Sequence, residues 1–449
     1  MKPRYFMIAA VFFISACTAG RAVIHPAPEL LPFTEEEMTD PDFWISRHPS
    51  PETTILTFEE ISRLNAGIRT DLKLTKDIFQ LPSHVSGDEL VREFTQSVND
   101  LERRHLFKGD GQKTKQAYFV TMQYYMTSQV PEQVRRQYGI IVRFSDQKFL
   151  PTEEILTEKP GDVEFDELQN SALDIGTPVA VVWTTADGKW SYVETDLSDG
   201  WVKSEYVAIG SKEAVLRFAK TGFFAIVTAA KADLYADAAM TRSLGRVRMG
   251  IKFPLERSID GNMAAVKLPQ RNSDGRLSFI TGYMHREDVY HGYLTYTPRM
   301  IIQQAFKLLG HPYGWGGING GQDCSRFIQE VFATVGIEMP RDSVNQRQVG
   351  QVISTFADGQ TGEDKLAVIR EQGIGGITLL GIKGHIMLYL GTWNDRAYAI
   401  HAVWAYRQPG TADDEIYVID RVVVSDLSLG EGSQKGSWLK RIISVGLLK

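Results

Sequence analysis

The apolar pattern changes period along this 449-residue chain, and that change excludes a single uniform fold. Around Phe58-Glu59-Glu60-Ile61-Ser62-Arg63-Leu64 and Glu89-Leu90-Val91-Arg92-Glu93-Phe94 the apolar residues recur at helical spacing. From about Val130 the pattern turns to short β-branched runs. Pro178-Val179-Ala180-Val181-Val182-Trp183-Thr184, the turn Ala186-Asp187-Gly188-Lys189 and then Trp190-Ser191-Tyr192-Val193 read as a hairpin. A second β-rich stretch runs from Thr221 to His291, and the two share a frame: Gly200-Trp201-Val202-Lys203-Ser204-Glu205-Tyr206-Val207 is echoed by Gly282-Tyr283-Met284-His285-Arg286-Glu287-Asp288-Val289. Each copy closes a run of strands of small-barrel size, about 70 to 80 residues. Helical spacing returns at Arg299 to Leu309, closed by Gly310 as a C-cap. At roughly 150 residues per domain the length allows about three domains. The reading is a multidomain α+β chain: a signal segment over 1–20, a helical N-terminal segment over 21–129, small β-barrels over 130–215 and 216–295, and a mixed α+β domain over 296–449. Asp42-Phe43-Trp44-Ile45 reads as an aromatic anchor that pins the N-terminal arm to another domain.

Hydrophobic residues at 43% and charged residues at 23% place the chain in the globular range. A formal charge of −6 with no Lys/Arg run excludes a basic surface for nucleic acid. At the N-terminus, Lys2 and Arg4 precede an apolar stretch from Tyr5 to Ile14 that is too short to span a bilayer, the layout of an export signal. Its end, Ile14-Ser15-Ala16-Cys17, resembles the bacterial lipobox, in which the cysteine is lipidated and becomes the first residue. The expectation is an exported lipoprotein of the cell envelope, with Thr18 in place of an inner-membrane retention signal and hence an outer-membrane address. Ordinary cleavage near Ala19, with loss of Cys17, is the alternative. No later stretch approaches 18 apolar residues, so lipid is the expected route to a membrane.

Cys17 and Cys324 are the two cysteines of the chain, so with the first lipidated or removed Cys324 has no disulfide partner. An unpaired thiol in an oxidising compartment needs a reason, and a buried cysteine packing as a small hydrophobe is one. The flanking residues favour another. Phe327, Ile328, Val331, Phe332 and Val335 recur on one helix face, so a buried helix starts at or beside Cys324. There the unpaired backbone N–H groups favour thiolate over thiol and offer an oxyanion hole. A base is required, and His311, His385 and His401 are the histidines of this region. His385 opens the strand-like Gly384-His385-Ile386-Met387-Leu388-Tyr389-Leu390-Gly391, and His401 ends Ala397-Tyr398-Ala399-Ile400. A lone strand histidine is usually structural. Two on neighbouring strands, downstream of a helix-start cysteine, fit a nucleophile, a base and an orienting group. A zinc hydrolase fits less well, since two His and one Cys leave the general base unnamed. No metal or cofactor is expected.

With these residues on the page, the C-terminal 150 or so resemble the NlpC family of bacterial cell-wall cysteine peptidases. The likeness is carried by Trp315-Gly316-Gly317, Asp323-Cys324-Ser325, Pro340-Arg341-Asp342-Ser343-Val344-Asn345-Gln346, Gly384-His385, Tyr389-Leu390-Gly391 and His401. The two β-stretches resemble bacterial SH3-type domains, a layout shared with multidomain members. The resemblance implies a papain-like α+β catalytic domain that cuts the bond between the γ-carboxyl of D-glutamate and an L-diamino acid in peptidoglycan stem peptides or muropeptides. It implies Cys324, His385 and His401 as catalytic residues, substrate contacts from Asp323, Ser325, Ser343 and Trp315, and a pocket closed by a residue of the first SH3-type unit. Arg326 departs from the family, which usually has Gly there. Its guanidinium either reaches a substrate carboxylate or forms a surface ion pair. The stretch from Ile353 to Gly376 is longer than the family's connection, a lid or mere decoration. A non-catalytic wall-binding lipoprotein and a thiol amidase or acyltransferase are the rival functions, and oligomeric state and the choice of diaminopimelate or lysine stay open.

Overall fold

The computed structural model describes residues 23–259, 261–357, 359–411 and 413–449. The signal segment and Cys17 lie outside the described residues. Among those described, no helix is long and apolar enough to cross a membrane.

The C-terminal unit is a seven-stranded sheet covered on both faces. Its strands lie in the order Ile24–Pro26, Glu415–Asp426, Arg396–Gln408, His385–Trp393, Thr378–Ile382, Ile442–Leu447 and Gln351–Thr355. Every pairing is antiparallel except that of the N-terminal strand, which joins Glu415–Asp426 in parallel with Ile24 opposite Ile416. Central strands buried on both faces lose the strict polar alternation of one-sided sheets, and His385–Trp393 indeed reads as a nearly continuous apolar run. On one face Ile386, Leu388, Leu390, Ile400 and Val424 pack under the helices Pro298–Lys307 and Cys324–Ala333. On the other, Met387, Tyr389, Ala399 and Val423 pack with Ile369 and Trp438.

The stretch from Ile353 to Gly376 is neither lid nor loose decoration. Gln351–Thr355 pairs as an edge strand with Ile442–Leu447, and the helix Gly362–Gln372 is fixed by a reciprocal cap between Thr361 and Asp364 and buries Ile369. It forms the covering layer of one face of the sheet, because an apolar sheet face must bury itself against another element.

The first β-unit is a seven-stranded sheet within residues 137–210, ordered Val207–Gly210, Gln137–Ile141, Pro178–Thr184, Trp190–Glu194, Asp199–Lys203, Ser145–Lys148 and Gln169–Leu173. The second comprises a three-stranded and a four-stranded sheet within residues 224–291. The sequence echo has a structural counterpart. In both copies a strand ending at Lys203 or His285 runs into a single 3-10 turn, Ser204–Tyr206 or Arg286–Asp288, and then into a strand starting at Val207 or Val289.

The helical N-terminal segment is divided between two units instead of forming one. The helices Gly87–Arg103 and Gln116–Thr127 pack on the first β-unit, where Phe94 meets Tyr192 and Trp201 at ring distances of 4.9 and 5.1 Å. The earlier helices, Pro41–Arg47 and Phe58–Thr70, pack on the C-terminal unit. The aromatic anchor falls in Pro41–Arg47, which has proline at its start and Asp40 accepting from the Asp42 amide at 2.8 Å. Trp44 is buried against Tyr398 at 5.3 Å and donates Nε1–H to the Met38 carbonyl at 2.9 Å, while Phe43 meets Trp393 at 5.6 Å. The junction at Tyr293 to Pro298 is fixed as well: the Leu294 amide donates to Thr334 O at 3.0 Å and the Tyr296 hydroxyl to Leu448 O at 2.6 Å. Replacing Trp44 by Ala should destabilise the C-terminal unit by about 3 to 5 kcal/mol. Calorimetry should show its transition shifted while that of the first β-unit stays in place.

Candidate active site

Asp323 starts the helix Cys324–Ala333 by accepting from the Arg326 amide at 2.8 Å, which puts Cys324 at the first helical position. The thiol is nearly enclosed, at 8% exposure. The backbone N–H groups of Ile386 and Ser325 lie on it, so the helix start abuts the first residues of His385–Trp393. The antiparallel register with Leu388 opposite Ile400 puts His401 opposite Met387, on the same face as His385 and diagonal to it. His385 Nε2 and His401 Nδ1 are 2.7 Å apart, and His401 Nε2 lies 2.9 Å from Ser425 Oγ. With His401 donating to Ser425, its Nδ1 accepts from His385 Nε2–H, which leaves His385 Nδ1 as the acceptor nitrogen of its ring; this tautomer is assigned from the network. Trp438 stacks on His385 at 5.6 Å and meets His401 edge-on at 5.5 Å.

The expectation that the helix N-terminus makes the thiol acidic is overturned. Burial, and next the Asp323 carboxylate, push Cys324 up to about 12, outweighing the Ile386 and Ser325 amides that pull it down. Burial, then the Arg441 charge, push His385 down to about 3. Burial, then His385, hold His401 well below its usual value. These shifts favour the neutral thiol and the neutral imidazoles.

Asp323 and Ser325 are tied together by Arg341. Its Nη2 lies 2.6 Å from Asp323 Oδ2, its Nη1 donates to Ser325 Oγ at 2.9 Å, and Ser325 Oγ donates to Asp323 Oδ1 at 3.0 Å. Arg341 Nε reaches Ser171 Oγ of the first β-unit at 3.1 Å. These bonds and the Arg326 amide leave Asp323 about one open acceptor position, on Oδ2. Ser343 opens the short helix Ser343–Gln346, half-buried. Trp315 donates Nε1–H to Asp166 O at 3.1 Å and meets Phe165 edge-on at 5.4 Å. Its loop requires glycine: Gly316 and Gly317 have φ of 61° and 83°, and a Cβ on Gly316 would lie 2.5 Å from Gln169 Cγ.

Arg326 is not placed to meet substrate. Its Nη2 lies 2.8 Å from Asp174 Oδ2 of the first β-unit and its Nε 3.0 Å from Glu330 Oε1, so a buried ion pair is the outcome. The reason is proximity: Asp174 and Glu330 are buried carboxylates that need a counter-charge.

Other residues at the site carried weak sequence signals. Tyr313 is close enough to Cys324 and Asp323 that, after burial, their charges raise its hydroxyl well above the usual value. Arg341 was visible only as part of a motif. From the first β-unit, Phe165 sits between Trp315 and Trp404 at 5.4 and 5.1 Å, and Glu164 accepts from Trp404 Nε1 at 2.8 Å. Asp146 accepts from Gln169 Nε2 at 3.0 Å, and burial raises its carboxyl. An acidic-aromatic-acidic triplet, Glu164-Phe165-Asp166, was the available sequence signal. Among the described residues no group of His, Cys, Asp and Glu could hold a metal ion.

Residues 310–402 match the NlpC/P60 family, and residues 157–203 match an SH3 domain of the SH3b1 type. A gamma-D-glutamyl-L-lysine dipeptidyl-peptidase of Bacillus subtilis is 38% identical over 21% of this chain and 30% of that protein. One of the same name from Bacillus cereus is 29% identical over 38% of this chain and 48% of that protein. The matched stretches thus span less than half of those relatives. The structure of an NlpC/P60 endopeptidase from Photobacterium damselae subsp. piscicida has a TM-score of 0.76 at 19% identity, covering 95% of this chain and 99% of that one. The likeness extends the shared fold to nearly the whole chain.

The histidine shifts set a pH dependence of stability. The folded pKa values of His385 and His401 lie below the unfolded value of 6.5, so below that pH the unfolded chain binds protons that the folded chain refuses. Stability should rise with pH between about 3 and 6.5, by up to about 1.4 kcal/mol per pH unit for each histidine, and lose this dependence above. Urea unfolding from pH 4 to 7.5 should show a shallower slope for the His385→Gln/His401→Gln variant than for the parent.

Proposed function

We propose that this chain, whose C-terminal domain belongs to the NlpC/P60 family, is a thiol peptidase that cuts the γ-D-glutamyl-L-diamino acid bond of peptidoglycan stem peptides. The observation that carries the reading is the His385–His401–Ser425 relay at 2.7 and 2.9 Å beside a helix-start thiol. A merely structural cysteine has no need of it. The γ-D-glutamyl-L-lysine dipeptidyl-peptidase names of the Bacillus relatives support this choice of bond.

The resting pair is neutral, so the proton moves as the substrate arrives. His385 Nδ1 takes the thiol proton while sulfur adds to the amide carbon. The imidazolium, with His401 holding its far N–H, returns the proton to the departing amine. Water then cleaves the thioester by the same base. The amides at the helix start and the Tyr313 hydroxyl are the nearby donors for the oxyanion. Cys324→Ala should abolish release of the diamino acid from L-Ala-γ-D-Glu-diamino-acid peptide, followed by mass spectrometry, with the fold intact by circular dichroism. Retention of more than a few per cent of the activity would overturn covalent catalysis.

The first β-unit supplies a wall at the acyl end of the cleft through Glu164, Phe165 and Asp166. It brings the Asp146 carboxylate to the side of the Trp315 loop, through Gln169, whose Nε2 lies 3.0 Å from Asp146 Oδ1 and 3.5 Å from Gly316 O. We assign this end to the substrate's free N-terminal amine, with Asp146 and the open acceptor position of Asp323 as its partners. Leaving a buried charge unpaired costs about 1 to 3 kcal/mol or more. N-acetylation of the peptide should therefore lower kcat/KM by roughly tenfold to a hundredfold, Asp146→Asn should narrow that ratio, and intact sacculi should be cut poorly. Equal rates on free peptide, acetylated peptide and sacculi would make the β-units wall tethers instead of a gate.

A further inference from the structure

Cys324, His385 and His401 all fall within residues 310–402, the stretch that matches the NlpC/P60 family. The indole packed on the two histidines does not. Trp438 comes from Gly436-Ser437-Trp438-Leu439-Lys440-Arg441, beyond the matched stretch, so the family match gives it no role. Its ring nevertheless meets both imidazoles. It lies 5.6 Å from His385 with 30° between the planes, and 5.5 Å from His401 at 85°.

Sheet register delivers the ring to this place. Ile382 stands opposite His385 in one neighbouring strand and opposite Ile442 in the other, so the residues just before Ile442 lie at the sheet end where His385 begins its strand. There Trp438–Arg441 forms a single turn, in which Ser437 Oγ accepts from the Lys440 amide at 3.2 Å. The Trp438 amide donates to Leu429 O at 3.1 Å and the Leu439 amide to Leu427 O at 2.7 Å, which fixes the backbone on both sides of the ring's attachment. The indole is buried, and its Nε1–H has no hydrogen-bond partner among the described residues. A buried donor left unpaired is disfavoured, so backbone and packing, rather than a bond of its own, decide where the ring lies.

The hydrogen bond beside this ring is the one that orients the imidazole of His385. His385 Nε2–H reaches His401 Nδ1 at 2.7 Å, and His401 is held in turn at 2.9 Å by Ser425 Oγ. Two things compete with that bond. An imidazole turns readily about its Cβ–Cγ bond, because that torsion is broad, and a turned ring gives up His401. A flat indole stacked on it restricts the turn. Water is the second competitor, since a hydrogen bond gains little where water can replace either partner and more in a dry, low-dielectric site. His401 is fully buried, and the indole that meets both rings adds to the apolar cover around the pair.

We propose that Trp438 is a positioning residue for the His385–His401 pair: its ring holds the His385 imidazole in the orientation that bonds His401 and keeps water from that bond. It acts through His385 and touches neither thiol nor substrate in this role. The flat face is what matters, so an aliphatic side chain that merely fills the same space should not replace it, whereas a second aromatic ring should. The inference rests on the thiol-peptidase reading above only where a rate is the readout.

The test compares Trp438→Phe and Trp438→Leu with the parent in the full chain, with L-Ala-γ-D-Glu-diamino-acid peptide as substrate. Trp438→Leu should lower kcat by roughly tenfold to a hundredfold with KM little changed, the effect of a misplaced catalytic group rather than of lost binding. Trp438→Phe should retain most of the parent's kcat. A spectroscopic arm needs no substrate: in protein labelled with nitrogen-15 at histidine, the downfield Nε2–H resonance of His385, assigned by its loss in His385→Gln, should be present in the parent and in Trp438→Phe. It should vanish by exchange with water in Trp438→Leu. A Leu variant that keeps the parent's kcat and resonance, or a loss shared equally by the Phe and Leu variants, makes Trp438 a core filler and overturns the proposal. If circular dichroism shows Trp438→Leu unfolded, Trp438→Met serves as the aliphatic member of the comparison. If the parent cuts no peptide, the bond assignment fails separately, and the resonance alone decides the role of the ring.

Discussion

The fold turns on four buried charges where three units meet. Asp174 directly follows the strand Gln169–Leu173 of the first β-unit, Arg248 ends a strand of the second, and Arg326 and Glu330 stand one turn apart on the helix that begins with Cys324. Arg248 Nη2 lies 2.6 Å from Asp174 Oδ2, Arg326 Nη2 lies 2.8 Å from the same oxygen, and Arg326 Nε lies 3.0 Å from Glu330 Oε1. Two positive and two negative groups make the cluster neutral. Burial works against the charge on Asp174, but Arg248 and Arg326 outweigh it and hold the carboxyl below its usual range. Such a cluster adds little net stability against an apolar replacement, yet removal of one member strands a buried charge at a cost of about 3 to 5 kcal/mol. The cluster thereby joins both β-units to the helix Cys324–Ala333.

That arrangement carries the site. Once Asp174 is held against the helix, the neighbouring strand Gln169–Leu173 presses on the Trp315 loop, where Gly316 and Gly317 allow the close approach. Ser171 then reaches Arg341, and Arg341 orients Asp323 and Ser325 beside the thiol. Farther along the same unit, Phe165 is set between Trp315 and Trp404. The first β-unit and the Cys324 helix are thus linked by side chains from both.

The same enclosure explains the neutral resting state. Desolvation disfavours both thiolate and imidazolium, and it dominates the amides at the helix start. A buried, protonated thiol is poorly reactive towards adventitious oxidants.

Sequence alone determined the alternation of helical and strand segments, the helix that starts at Cys324 and the pairing of His385 with His401. Each is a consequence of local spacing: period 3.6 after Asp323, and apolar runs that carry both histidines on adjacent strands. The SH3-type and NlpC-type units were legible because their glycine turns and strand lengths are likewise local. The destination of Arg326, the division of the N-terminal helices between two units, and the packing of the stretch from Ile353 to Gly376 as a covering layer were not. Those outcomes depend on partners far along the chain, such as Asp174 for Arg326, that no local pattern names. The protonation of the thiol was also decided in three dimensions, because the helix N-terminus is a sequence property whereas the burial that overrides it is a property of the assembled fold.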